Sequence, residues 1–312
     1  MKPFDLIIGA ALGVGLAACA SVETQDDLTS VADTAPAELV EDSGLDIVVH
    51  EGDFAEIQQF TTPGGVSVWL VSEPSIPILS VAMAWEGGEA ADPEGLEGLA
   101  DAVVYHMNEG AGDLDSLAFQ TRMEELNMSF GCSASSDWTS CSASMLTDNA
   151  DEAMSLVAQA FEAPRFDAGP FARFQREREV SLNTRETNAR YLAGRAEAQA
   201  IYPDHPYARE TSAESIAALT PELAKAHMRK LMVKDSLIVT AVGAITPEEL
   251  APMLDAIAAS LPESSDLPET PEITFTVDGA FEPVLIDLPQ PQSLVRFLAP
   301  VSYTHLTLPT NR

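Results

Sequence analysis

Positive charge is scarce in this chain. Its 312 residues hold 16 Lys and Arg against 49 Asp and Glu, a formal net charge of −33. With no basic patch, the sequence argues against nucleic-acid binding, which depends on clustered cations meeting phosphates. The same deficit argues against adhesion of the protein surface to anionic lipid, and solubility accounts for the charge well enough. Long hydrophobic runs are also absent: the longest, Leu6–Ala18, is too short to span a bilayer. No G-x-S-x-G, P-loop or G-x-G-x-x-G occurs in a strand–turn–helix context, and no spacing of Ser, His and Asp singles out a triad. Cysteine is limited to three residues.

The apolar run follows Lys2 and ends in Leu16-Ala17-Ala18-Cys19. A basic start, a short apolar core and small residues at its end describe a secretory signal over residues 1–18. Cys19 stands where a bacterial lipoprotein is lipidated, and no aspartate follows it at Ala20 or Ser21. These features predict a periplasmic protein anchored by lipid to the outer membrane of a Gram-negative bacterium. Residues 19–55 are acidic and read as a tether, because such a stretch buries too little apolar surface to offset its chain entropy.

From residue 56 the pattern becomes that of a folded body. Gln58–Thr61 and Val66–Val71 flank the turn Thr62-Pro63-Gly64-Gly65, and Pro77–Trp85 alternates at period two. Helical stretches are expected at 96–108, 114–126, 150–162, 170 to about 200, 221–231 and 247–261. Strands are expected at 128–135, 138–145 and 236–242. Irregular interleaving with hairpins predicts an α+β domain over 56–262 with a mainly antiparallel sheet. Cys132 and Cys141 flank a turn at Ser136-Asp137, so they are either a cross-strand disulfide or two small core residues. Residues 263–273 read as an extended polar linker. Val284–Ile286 and Leu294–Leu298 read as the first strands of a second domain over 274–300. The tail Val301–Arg312 does not continue that pattern and resembles translated adaptor sequence. The chain is therefore expected to be truncated, and His305 is left out of any site.

Three stretches carry a resemblance. The first joins Glu86-Gly87-Gly88 to Gly98-Leu99-Ala100 and then to Glu109-Gly110-Ala111-Gly112. The second is the run from Phe174 to Thr184, and the third is Pro203-Asp204-His205-Pro206-Tyr207-Ala208-Arg209. In this order and spacing they resemble the insulinase/pitrilysin/mitochondrial processing peptidase family of zinc metallopeptidases. Active members carry H-x-x-E-H after Gly-Leu-Ala, two histidines holding zinc and a glutamate activating its water. Registering on Gly98 and Gly110 puts Asp101 and Tyr105 at the histidines and Val104 at the glutamate. Glu177 matches an early acid of the second helix, and Thr184 falls at the third, glutamate ligand. Valine cannot take a proton, and a tyrosine hydroxyl is a poor zinc ligand at neutral pH. The resemblance thus implies an insulinase-type fold with no metal of its own. Gly98, Gly110, Glu177, His205, Tyr207 and Arg209 would be retained as structural motif residues.

Three functions remain open from the sequence. One is the non-catalytic half of a periplasmic peptidase, enclosing peptides together with a zinc-bearing H-x-x-E-H partner. Another is an enzyme with a relocated metal site built from Asp101, His106, Glu109 or Asp113. The third is a stand-alone peptide-binding or envelope-adaptor lipoprotein.

Overall fold

Alternation of apolar and small polar residues organises the sheet. In β5 (Ile78–Glu86) the side chains of Leu79, Val81, Met83 and Trp85 are buried while Ser80 and Ala82 face out. In β7 (Trp138–Leu146) Thr139, Cys141, Ala143 and Met145 do the same against Ser142 and Leu146. A period of two puts every second residue on one face, and that face is covered by helices. The computed structural model describes residues 38–40, 44–52, 55–273 and 283–297. The expected signal segment 1–18, Cys19 and the tail 301–312 lie outside them.

The remaining strands are β1 (Glu38–Val40), β2 (Ile47–Glu51), β3 (Glu56–Thr61), β4 (Ser67–Ser72), β6 (Ser129–Ala134) and β8 (Ile238–Gly243). All eight form one sheet in the order β1-β2-β3-β4-β8-β5-β7-β6. Only the β4–β8 pair is parallel. The fold class is α+β with a mixed, mainly antiparallel sheet, as the interleaving predicts. The helices are α1 (Leu99–His106), α2 (Ser116–Glu125), α3 (Ala150–Glu162), α4 (Ala168–Arg185), α5 (Ala189–Ile201), α6 (Ala213–Ala218), α7 (Pro221–Leu231) and α8 (Pro247–Ala258). Helix α1 packs over β6 and β7 and beside α4 and α7. Leu99, Ala100, Ala102, Val103 and Val104 are buried in that sandwich.

The structure departs from the sequence expectations in four places. The sheet starts upstream of residue 56: β2 lies within the expected tether, pairs antiparallel with β3 and buries Ile47. Ile47-Val48-Val49 is a β-branched run, and a partner strand supplies the ladder that composition does not reveal. The long helix expected from 170 to about 200 is two helices. The Asn188 side chain accepts from the N–H groups of Arg190 and Tyr191 and so starts α5 afresh. Helix α6 was not expected; Ser212 and Ser215 close a reciprocal cap around its first turn. Finally, the described residues 283–297 contain no strand, and Val284, Leu285, Val295 and Phe297 are exposed. An extended segment becomes a strand only when a neighbour completes its backbone hydrogen bonds, and none does so among the described residues.

The linker is extended but docked. Lys230 pairs with Asp266 at 3.0 Å, Lys234 with Glu263 at 3.1 Å, and Leu267 packs against the core.

Candidate functional site

Asp92 fixes the start of α1. Its carboxylate is buried and accepts three backbone N–H groups, from Gly98 at 2.8 Å, Leu99 at 3.0 Å and Ala100 at 2.8 Å. An anion over the free N–H groups of a helix start is favoured by both hydrogen bonding and the helix dipole. Gly98 has φ +99°, and a Cβ there would meet Ile216 at 2.9 Å. Gly110 has φ +115°, with the Leu114 carbonyl at 2.9 Å from such a Cβ. Both positions require glycine for a backbone reason.

Between these glycines, α1 presents Asp101 and Tyr105 toward α4. Arg178 of α4 grips Asp101 with two donors, Nε to Oδ2 and a terminal nitrogen to Oδ1 at 2.8 Å. Its guanidinium also lies 5.1 Å from the Phe174 ring centre. The Asp101 hydrogen bond, set against partial burial, raises the arginine pKa further. One turn along, the Tyr105 hydroxyl donates to Glu177 at 3.1 Å and accepts from Arg173 Nε at 3.1 Å. Burial is the main reason the phenol holds its proton above its usual range. Arg173 in turn pairs with Glu109 at 2.6 Å, and Ser116 donates to the same Glu109 carboxylate. Val104 is buried in the core, and Thr184 is exposed on α4 with its hydroxyl returned to the Val180 carbonyl. Glu89 faces this network. Partial burial, then the like charges of Asp101 and Asp92, raise its pKa against the opposing pull of Arg185 and Arg178.

These residues do not fit a zinc ion. Asp101 is saturated by a bidentate guanidinium, Tyr105 stays protonated, and two arginines would repel a dication at this place. The relocated alternative is not assembled either. His106 points away from Asp101 into an aromatic cage, stacked on Phe166 at 5.3 Å and Phe171 at 4.9 Å. It is fully buried, its Nδ1 contacts the Ala102 carbonyl at 2.7 Å, and burial lowers its pKa. Glu109 is committed to Arg173, and Asp113 is exposed. Among the described residues, no three His, Cys, Asp or Glu side chains converge as a metal-binding group.

The third motif is a clasp. His205 Nε2 lies 2.8 Å from the Pro271 carbonyl, while its Nδ1 accepts from the Tyr207 N–H at 3.2 Å. The Tyr207 hydroxyl donates to Asp137 at 2.6 Å, which pushes the phenol pKa up to about 12. Arg209 donates to the Asp92 and Ala90 carbonyls at 2.6 and 2.7 Å. One turn thereby ties together the linker, the β6–β7 hairpin and the approach to α1. Cys132 and Cys141 face each other across that hairpin and are joined as a disulfide, with Cα atoms 4.0 Å apart.

Sequence reasoning had no signal for Arg173, Arg178 or Asp92. Arg178 lies 77 residues from Asp101, and such a pairing leaves no local pattern.

Residues 67–213 match the model of the insulinase family (peptidase family M16). A Helicobacter pylori protein named non-peptidase homolog YmxG is 21% identical over 190 residues, which are 60% of this chain and 44% of that protein. Among solved structures, the peptidase M16 inactive domain from Pseudomonas fluorescens superposes with TM-score 0.66 at 24% identity, over 70% of this chain and 54% of that one. The periplasmic protease PqqL from Escherichia coli gives TM-score 0.64 at 19% identity, over 83% of this chain and 28% of that one. Pitrilysin gives 0.62 at 19% identity, over 78% and 26%. At these identities the structural likenesses establish the fold. The chain spans less than half the length of its curated relative.

Proposed function

We propose that the chain, whose residues 67–213 match the insulinase family model, serves as a non-catalytic half of a periplasmic zinc peptidase. It would enclose extended peptides together with an H-x-x-E-H partner, either fused or separate. The observation that carries this reading is the Asp101–Arg178 and Tyr105–Glu177–Arg173 network. A protein guanidinium supplies the positive charge at the place where the resemblance puts a metal. The names of the relatives, a non-peptidase homologue and an inactive domain, support the same reading.

Peptide contact has a physical candidate in β6, one of the two edge strands of the described sheet. Cys132 and Cys141 are closer than a hydrogen-bonded antiparallel pair, so the Cys132 and Ala134 backbone groups turn away from β7. An extended peptide could pair with that edge, backbone to backbone. Anchoring through Cys19 to the outer membrane belongs to the same proposal, as does the division into tether, peptidase-like domain and incomplete second domain.

Purified protein, assayed alone, is expected neither to retain stoichiometric zinc nor to cleave unfolded peptides. Chelator-sensitive cleavage by the pure protein would overturn the reading. Cross-linking in its native envelope is expected to recover an H-x-x-E-H chain. Repeated recovery of other envelope proteins instead would favour a stand-alone adaptor.

A further inference from the structure

A cavity of about 530 Å³ lies between the domain and its linker, and none of the residues of the Asp101 network lines it. Its walls come from the approach to α1 (Ala90, Leu96, Leu99) and from α7 (Leu223, Ala226). Its roof is the linker segment from Asp266 to Pro271. The volume falls in the range of small-molecule sites.

The buried charge at its floor and two of the cations beside it are already matched within the protein, while Glu269 of the roof is exposed to water. Asp92 holds three backbone N–H groups, Arg209 donates to two carbonyls, and Lys230 pairs with Asp266. One buried polar side chain of the lining is left over. His227 is 4% exposed, and its Nε2 sits 3.2 Å from Asp92 Oδ1 but off the line a hydrogen bond needs. No other group among the described residues satisfies that nitrogen.

We propose that this cavity binds a small neutral aliphatic molecule carrying one hydroxyl. Aliphatic walls favour the hydrocarbon body, and a charged ligand would find no unmatched buried counter-charge to offset its desolvation, since Glu269 stays in water. A hydroxyl both donates and accepts, so it satisfies Nε2 in either tautomer once the imidazole tips outward from its loose contact with Asp92. Because the roof is the linker, the ligand ties the linker to the domain. Occupancy therefore stiffens the route by which the chain leaves this unit.

The test titrates the full chain, with histidines isotope-labelled, with butanol, hexanol, hexanoate and hexylamine. Hexanol is expected to shift the His227 imidazole resonances and to slow proteolytic cleavage within 263–273. Each added methylene should tighten binding about fourfold, and the two charged analogues should bind at least about tenfold more weakly. Ala226 is exposed at the cavity wall, so Ala226→Trp should fold normally while filling the space. It should abolish the shift and the protection. His227 resonances unmoved by hexanol, or hexanol binding undiminished in A226W, would overturn the proposal. Neither result bears on peptide enclosure, which rests on other residues.

Discussion

Removing Arg178 should show how far a guanidinium holds α1 and α4 together. In Arg178→Ala the Asp101 carboxylate, 28% exposed in the intact pair, loses both donors. Leaving such a group partly buried without a partner costs about 1–3 kcal/mol. Loss of the stacking on Phe174 adds about 0.5–1 kcal/mol, and a total of about 1.5–4 kcal/mol follows. For a unit of this size that lowers Tm by about 3–16 °C. Asp101→Ala should cost less, because the long arginine side chain can swing to water. The double variant should recover part of the loss, with a coupling energy of about 1–2 kcal/mol in a thermal-denaturation cycle. Adding zinc should leave the melting temperature of the unaltered protein unchanged. A dication at one hundred times its Kd would raise stability by about 2.7 kcal/mol, which the same assay detects. Coupling below about 0.3 kcal/mol, or a zinc-dependent rise of that size, would refute the substitution of guanidinium for metal.

Further outcomes follow from neighbouring residues. His106 is held neutral by burial, so its folded pKa lies below the unfolded value. The unfolded chain then binds the extra proton as pH falls through about 6.5, and stability drops with it. His106→Phe should flatten this slope in denaturation curves taken between pH 7 and 5, whereas an unchanged slope would place the titrating group elsewhere. Cys132→Ala with Cys141→Ala should cost about 2–3 kcal/mol by loop entropy, read from urea midpoints. A smaller effect would mean that the strand pairing holds the hairpin unaided. Tyr207→Phe should cost about 1 kcal/mol and remove the tyrosine that ionises near pH 12 from a spectrophotometric titration. A titration curve that keeps this component would assign it to another phenol.

Much of this protein is legible in its sequence because local rules set it. Alternation in Ile78–Glu86 fixes which face of β5 is buried, and the caps at Thr220 and Thr246 start α7 and α8 where the pattern places them. Gly98 and Gly110 both take a left-handed backbone that admits little but glycine. The polarity of Asp101, Val104, Tyr105 and Thr184 is likewise a property of the chain alone.

Tertiary structure decided the rest. Only packing of α1 on α4 shows that Asp101 is paired and that His106 is caged, since both partners lie far away in sequence. Strand β2 exists because β3 is there to pair with it, and the apolar residues from Val284 to Phe297 have no such neighbour among the described residues. The linker, polar by composition, becomes the roof of a cavity through Lys230, His205 and the apolar foot of Leu267. Local chemistry determines which elements can form, whereas pairing, burial and enclosure depend on partners that only the folded chain brings together.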